Sequence, residues 1–215
     1  MKQITKTLVQ CDFDGTVTEE DVSYLLLDAF ASEGWRQLLK QYEEGKITVG
    51  HFNRRAFTMV KDDKRTLLEY VNGRVKIRDG FQKLVAYCHH RDFRFVIVSN
   101  GLDFYIDNIL GDIGMGDIET FAARTCFYPE GLRVQYVGPD GSSLDSDFKK
   151  AYVDSFLGQG YRIIYMGNGD SDLLPARWCH HVFATGTLLD RCKQTNLNCT
   201  PFTNFHEVIG VLEHL

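Results

Sequence analysis

Three strongly apolar segments of this chain each end in a short polar cluster, and segments with helical periodicity separate them. The clusters are residues 12–16, 99–101 and 167–172. Strands that alternate with helices predict right-handed βαβ connections and a parallel sheet. Because the carboxyl ends of parallel strands line one crevice, three neighbouring strands would bring these clusters together. We therefore expect an α/β fold with a Rossmann-like parallel sheet and one site at its carboxyl edge.

The long segment between the first and second clusters is helical in its pattern. Apolar residues recur at three- and four-residue spacing from Asp21 onward, and Thr18 with Asp21 has the spacing of a capping box. No strand pattern interrupts residues 16–77. We therefore predict a helical cap at 16–77, inserted after the first strand of a core that comprises 1–15 and 78–215. Later in the chain, two strand-like runs around a Pro-Glu-Gly turn predict a β-hairpin.

Composition narrows the classes of partner. The 24 Lys and Arg against 29 Asp and Glu leave a net charge of −5, so we expect no nucleic-acid partner, which would require clustered basic residues. No apolar run approaches the roughly 20 residues that span a bilayer, and the chain begins without a signal-peptide pattern. We expect a cytoplasmic protein with no membrane partner. The oligomeric state stays open, a homodimer included.

Asp12 and Asp14 dominate the first cluster, and they are separated by a single residue. Two carboxylates at one strand end suit Mg²⁺, which prefers oxygen ligands and a phosphate beside them. A carboxylate can also act as nucleophile and form an aspartyl-phosphate, which divides a difficult hydrolysis into two steps. We predict that one Asp attacks phosphorus and that the other is the general acid and then the general base.

The second cluster and a lysine predict the phosphate contacts. The Ser99 hydroxyl with the amides of Asn100 and Gly101 would hold phosphate oxygens, and Gly101 would let the backbone approach closely. A lysine ammonium would offset the charge that develops during phosphoryl transfer. Lys149 and Lys150 are adjacent at a predicted helix start, and their side chains point about 100° apart. Only one of them can therefore enter the site.

These residues resemble the four motifs of the haloacid-dehalogenase-like superfamily. Residues 12–18 resemble its first motif, and Ser99, Lys149 and 167–172 resemble the second, third and fourth. A helical cap between the first two motifs is similar to the phosphoserine-phosphatase-like branch. The segment 98–105 is similar to the methionine-salvage phosphatases that act on hydroxyketo-methylthiopentenyl phosphate. The resemblance implies a Mg²⁺-dependent phosphatase on a small phosphorylated metabolite.

The resemblance also implies roles for single residues. Asp12 would be the nucleophile and Asp14 the acid and base, and Lys149 would be the lysine that contacts the phosphate. Asp12, the main-chain carbonyl of Asp14 and the residue at 168 would hold Mg²⁺, with Asp172 behind them. Position 168 is Asn168 where these phosphatases usually have Asp.

The change at position 168 leaves alternatives open. Asn168 could ligate through its amide oxygen with reduced affinity, Asp170 could replace it, or the metal site could be weak or lost. Glu20 could contact substrate from the cap or could only favour the start of a helix. The alternatives to a phosphatase are a phosphotransferase or mutase, and a phosphoryl-ligand-binding protein of low activity that results from Asn168.

Overall fold

The computed structural model describes residues 6–215, and the first residues of the predicted core, 1–5, lie outside them. The described chain is a mixed α/β structure around one eight-stranded sheet. The strands are β1 (Thr7–Cys11), β2 (Arg94–Leu102), β3 (Glu119–Tyr128), β4 (Gly131–Val137), β5 (Ser143–Leu144), β6 (Arg162–Gly167), β7 (His181–Ala184) and β8 (Thr200–Pro201).

Ten α-helices and one short 3₁₀ helix, Asp170–Asp172, complete the part of the chain that the structure describes. No helix within residues 6–215 combines the length and the apolar composition needed to cross a membrane. The α-helices are α1 (Val22–Phe30), α2 (Trp35–Glu43), α3 (Val49–Phe57), α4 (Lys64–Val71), α5 (Phe81–His90), α6 (Asp103–Asp112), α7 (Phe148–Gly158), α8 (Leu173–Ala176), α9 (Gly186–Thr195) and α10 (Phe205–Leu212).

The sheet has the order β5-β4-β3-β2-β1-β6-β7-β8. All pairings from β3 to β8 in this order are parallel, and β3-β4 and β4-β5 are antiparallel. The expected α/β fold with a parallel sheet is therefore confirmed, and so is the hairpin, which is formed by β3 and β4. The short β5 and β8 and the helix α9 carry no pattern that the sequence analysis recognised.

The central strand β1 is covered on both faces. Its consecutive side chains point to opposite faces of the sheet, yet Leu8, Val9, Gln10 and Cys11 are all fully buried. Full burial of Leu8 or Val9 stabilises the fold by about 1.5–3 kcal/mol per side chain. The strand end that carries the first polar cluster is therefore held rigidly.

The helices α1 to α4 follow β1 directly, as the helical pattern of this segment predicts. The predicted capping box is wrong in its first residue, because Asp21 and not Thr18 caps α1. The Asp21 carboxylate accepts a hydrogen bond from the Tyr24 amide at 2.9 Å. The Thr18 hydroxyl instead accepts from the Gly15 amide at 3.2 Å, within the loop that leaves β1. Asp21 therefore begins α1 beside the end of the sheet.

The two ends of the helical segment meet, since Thr18 and Ile77 form an isolated β-bridge. Its aromatic residues Trp35, Phe52 and Phe57 are buried. The segment also contacts the hairpin, where the Leu132 amide donates to a carbonyl just beyond α3 at 3.2 Å. The division into a core and a cap at residues 16–77 stays a prediction.

Candidate active site

The three polar clusters meet at one edge of the sheet because β2, β1 and β6 are neighbours in that order. Cys11 is in register with Ile97 on one side and Met166 on the other. The Asp12 amide donates to the Met166 carbonyl at 2.9 Å, which continues the ladder to the end of β1. A cavity of about 300 Å³ lies there, and residues from all three clusters line it.

Lys149 is the cation of this site. It lies in the first turn of α7, its side chain is 3% exposed, and its Nζ is 2.8 Å from Oδ2 of Asp12 and 2.6 Å from Oδ1 of Asp172. Its neighbour Lys150 turns away and pairs with Asp154 on the same helix. The structure therefore brings the lysine that the resemblance indicates, and not Lys150, to the strand ends.

Burial and charge set the protonation of this pair. Burial raises the pKa of Asp12 from 3.8 to about 7; the Asp172 charge adds to the rise and Lys149 opposes it. Burial alone would lower the pKa of Lys149, but the charges of Asp12 and Asp172 hold it above its ordinary value. Lys149 is therefore cationic at neutral pH, and Asp12 becomes ionised near neutrality.

Asp14 has a different environment from Asp12. Its Oδ2 accepts a hydrogen bond from the Tyr105 hydroxyl, and its Oδ1 accepts from the Val22 amide at 3.3 Å. Burial raises the pKa of Asp14 well above 3.8, the charge of Asp21 adds to the rise, and the Tyr105 hydrogen bond opposes it. Asp14 is therefore held by hydrogen bonds to neutral donors, whereas Asp12 lies against the Lys149 ammonium, and the two carboxyl groups of the first cluster differ in environment.

Sequence reasoning missed the residues that hold Asp14. Tyr105 is fully buried in the first turn of α6, and its hydroxyl lies 2.8 Å from Oγ of Ser23 in α1. Both residues lie inside helical apolar patterns, where a tyrosine or serine reads as ordinary core. For Tyr105, the signals in the sequence are its place in the segment 98–105, which resembles a phosphatase family, and the start of α6 just after the second polar cluster.

The second cluster is arranged partly as predicted. Ser99 is 1% exposed, and its Oγ accepts from the Gly101 amide at 3.0 Å, so this amide is already hydrogen bonded. Gly101 is tightly enclosed, since a Cβ there would lie 2.5 Å from Oδ2 of Asp14. The Asn100 carbonyl accepts from Asn53 at 2.9 Å, which ties the cluster to α3. The Ser99 hydroxyl proton and the Asn100 side chain remain for a ligand.

Asn168 belongs to the third cluster, and its side chain reaches the first. One terminal atom of its carboxamide is 2.9 Å from the Asp14 carbonyl oxygen, 3.2 Å from Oδ2 of Asp12 and 3.0 Å from Oγ1 of Thr16. Gly15 adopts a φ of +69°, and a Cβ there would lie 2.2 Å from the carboxamide. Glycine at position 15 is therefore needed both for the turn and for the close approach of Asn168.

Two acidic residues of the third cluster have different surroundings. Asp172 is fully buried, and its Oδ2 accepts from the amides of Asn168 and Gly169 at 3.0 and 2.9 Å. Its Oδ1 accepts from Lys149, so it joins the loop to the lysine. Asp170 instead pairs with Nε of Arg191 at 2.6 Å. The side chain that approaches Asp12 is therefore Asn168 and not Asp170.

Glu20 is not among the residues that line the cavity. Its Oε2 accepts from the Lys76 amide at 2.9 Å, at the base of the helical segment. The adjacent Asp21 lines the cavity instead, and burial raises its pKa to about 6. Of the two acids, the structure therefore places Asp21 and not Glu20 at the cavity.

A second cavity, of about 430 Å³, adjoins the first and shares Tyr42, Asn100 and Lys149 with it. It lies between the α2–α3 connection and the helices α8 and α9. Ile47 and Leu174 give two of its sides an apolar character. A ligand with its phosphate beside Lys149 therefore has room for a chain of several atoms.

The oxygens around Asn168 fit magnesium. Adjacent ligands of Mg²⁺ at about 2.1 Å lie roughly 3 Å apart in an octahedron. The separations of 2.9 and 3.2 Å from Asn168 to the Asp14 carbonyl and to Asp12 match that spacing. No group of three His, Cys, Asp or Glu side chains in residues 6–215 could hold a metal. A magnesium site here therefore depends on a main-chain carbonyl and an amide.

Comparison with known proteins points to one family. The sequence profile of the HAD family, haloacid dehalogenase-like hydrolase, matches residues 9–177. The 2-hydroxy-3-keto-5-methylthiopentenyl-1-phosphate phosphatase of Brevibacillus brevis is 25% identical over 214 residues, which cover 98% of this chain and 96% of that protein. The phosphatase of the same name from Bacillus velezensis is 28% identical over 217 residues, which cover 99% of this chain and 92% of that protein.

The fold has a close counterpart among solved structures. A phospho-aspartyl intermediate analogue of phosphoserine phosphatase matches with a TM-score of 0.73 at 18% identity, over 96% of this chain and 99% of that one. The expected fold and the expected enzyme class, a hydrolase, are thereby confirmed. The chain belongs to the haloacid dehalogenase-like hydrolase family.

Proposed function

We propose that this chain is a Mg²⁺-dependent phosphatase that hydrolyses a small phosphomonoester through an aspartyl-phosphate on Asp12. The observation that carries the proposal is the pairing of two unlike carboxyl groups at one strand end. Asp12 lies 2.8 Å from the Lys149 ammonium, whereas Asp14 accepts a hydrogen bond from Tyr105 and burial raises its pKa well above 3.8. A nucleophile beside a cation and a nearby acid are what stepwise transfer of a phosphoryl group requires.

In the first step, a carboxylate oxygen of Asp12 forms a bond to phosphorus while the bond from phosphorus to the ester oxygen breaks. Asp14 donates its proton to the departing oxygen, which leaves as an alcohol. In the second step, water attacks the phosphorus of the aspartyl-phosphate and gives its proton to Asp14. The bond between phosphorus and Asp12 breaks, which releases phosphate and restores both carboxyl groups.

Other residues would bind the phosphate and shield the reaction. Ser99, Asn100 and Lys149 line the cavity and would donate hydrogen bonds to the phosphate, and Lys149 would offset charge on the phosphoryl oxygens. Asp12, the Asp14 carbonyl and Asn168 would hold Mg²⁺. When bound, this ion would neutralise negative charge on the phosphate and act as a Lewis acid.

The substrate that we propose is the phosphate ester that appears in the names of the two related phosphatases, 2-hydroxy-3-keto-5-methylthiopentenyl-1-phosphate. This substrate would place the enzyme in methionine salvage, in the cytoplasm. The second cavity supports this choice, because Ile47 and Leu174 present apolar surface beside the phosphate position. A short chain that ends in a thioether would bury its apolar end there.

A panel of small phosphate esters, assayed for free phosphate with and without Mg²⁺, tests the proposal. We expect Mg²⁺-dependent release from the wild type without any acceptor, and a decrease on the order of 10⁴-fold in Asp12→Asn. Asp62→Asn, the same change on an exposed loop, is the matched control and should keep full activity. Activity of Asp12→Asn close to that of the wild type would contradict Asp12 as the nucleophile. Ester cleavage that needs an acceptor and yields no free phosphate would identify a phosphotransferase.

A further inference from the structure

Asn168 has three oxygen neighbours at one end of its carboxamide, and their chemistry differs. The Asp14 carbonyl at 2.9 Å and Oδ2 of Asp12 at 3.2 Å can only accept hydrogen bonds, unless that carboxyl is protonated. The Thr16 hydroxyl at 3.0 Å can both donate and accept. An amide nitrogen facing this group would therefore donate its two hydrogens to the two acceptors, whereas an amide oxygen would face two other oxygens.

An amide oxygen in the same position would require a cation between it and those two oxygens. The separations of 2.9 and 3.2 Å suit ligands of one magnesium ion as well as they suit hydrogen bonds. Thr16 serves either orientation, because its hydroxyl can donate to the amide oxygen at 3.0 Å. The surroundings therefore accept both orientations of one side chain without displacement of the backbone.

The residues around Asn168 keep its position the same in both orientations. The Asn168 amide donates to Oδ2 of Asp172 at 3.0 Å, and a Cβ at Gly15 would lie 2.2 Å from the carboxamide. A half-turn about the last side-chain bond exchanges the oxygen and nitrogen and leaves this framework unchanged. An aspartate at position 168 could not do this, since both of its ends are acceptors.

We propose that the Asn168 carboxamide exchanges its two ends with magnesium binding. Its NH₂ group bridges Asp12 and the Asp14 carbonyl when no cation is bound, and its oxygen turns to the ion when one binds. This inference rests on the magnesium site of the proposed function. Asn168 would then hold Asp12 and the Asp14 carbonyl together when no metal is bound. It would also lower the affinity for the metal, because each binding event breaks the two hydrogen bonds.

Thermal unfolding of the full chain tests this without any measurement of turnover. In EDTA, Asn168→Asp should unfold roughly 5 °C or more below the wild type, because hydrogen bonds are lost and like charges meet. Excess MgCl₂ should raise the midpoint of Asn168→Asp by several degrees more than that of the wild type. Asn198→Asp, the same change at an exposed position, should follow the wild type in both conditions. Equal midpoints in EDTA, or equal shifts with MgCl₂, would overturn the inference.

A measurement on the wild type covers the case in which Asn168→Asp does not fold. In asparagine-labelled protein in EDTA, the side-chain NH₂ resonances of Asn168 should exchange with water at least about 10-fold more slowly than those of Asn198, because they are hydrogen bonded. MgCl₂ should abolish that protection. Exchange as fast as that of Asn198 in EDTA would refute the bridge. A wild type that shows this response but releases no phosphate would refute only the proposed function.

Discussion

The Tyr105 hydroxyl donates a hydrogen bond to Oδ2 of Asp14 from the first turn of α6. Ser23 Oγ lies 2.8 Å from the same hydroxyl, so α1 and α6 both hold this carboxyl group. All three residues are buried. Two helices therefore set the orientation of the Asp14 carboxyl group, which we propose as the general acid: α1 in the segment 16–77, and α6, which follows β2.

Tyr105→Phe should slow reactions that need the general acid. The phenyl ring keeps the packing but cannot orient Asp14, so kcat/KM on an alkyl phosphate should fall about 10- to 100-fold. Hydrolysis of p-nitrophenyl phosphate should change much less, because its leaving group departs without a proton. Tyr128→Phe is the control, since Tyr128 is 41% exposed. An equal loss on both esters would contradict a role in positioning the acid.

Lys149→Met should destabilise the fold, because the carboxylates of Asp12 and Asp172 would then remain buried without their cation. We expect the free energy of unfolding in urea to fall by about 3–5 kcal/mol. Lys150→Met, which removes the neighbouring lysine, should change it by about 1 kcal/mol or less. A second change, Asp172→Asn, should recover part of the loss. Equal effects at the two lysines would refute the assignment of Lys149 as the buried cation.

Stability in EDTA should depend on pH through the buried carboxyl groups. The pKa of Asp12 rises from 3.8 to about 7 on folding, so the native state binds more protons than the unfolded state between these values. The stability that protonated Asp12 contributes is fully present below about pH 4 and is lost as pH rises to about 7. The free energy of unfolding should therefore decrease over this range. Asp14 and Asp21 act in the same direction.

Urea unfolding of Asp12→Asn across this pH range isolates the Asp12 share, since the variant should show a shallower decrease than the wild type. Asp62→Asn should keep the wild-type slope. An Asp12→Asn slope identical to that of the wild type would exclude Asp12 as a titrating group in this range.

Ile47→Ser should weaken the preference for longer apolar substrates. In the wild type, each added methylene in a series of alkyl phosphates should improve kcat/KM by about fourfold while the chain fills the second cavity. In the variant, kcat/KM should increase less with each added methylene, and its value for the shortest ester should be unchanged. Ile113→Ser, in a separate cavity, should keep the wild-type series. A series that is flat in the wild type would show that the leaving group lies elsewhere.

Most of the fold could be predicted from the sequence because the signals are local. The apolar strands, the helical periodicity of residues 16–77 and the hairpin turn each lie within a short window of chain. The same locality explains the error at Thr18: the spacing of a capping box fits it, but only the path of the loop decides that Asp21 caps α1. The helix α9 is largely polar, and no local pattern indicates it.

The residues of the site also divide into those that the sequence predicts and those that only the structure identifies. The sequence by itself determined that Asp12, Asp14, Ser99 and Asn168 follow three strands of one parallel sheet, because residue order and apolar runs mark the strand ends. That these strands are neighbours is shown by the structure. Only the tertiary structure decided that Lys149 and not Lys150 enters, that Asp21 and not Glu20 lines the cavity, and that Tyr105 holds Asp14. Those outcomes depend on the rotation of helices and on contacts between residues far apart in the chain, such as Tyr105 and Asp14, which are 91 positions apart, and no local pattern encodes them.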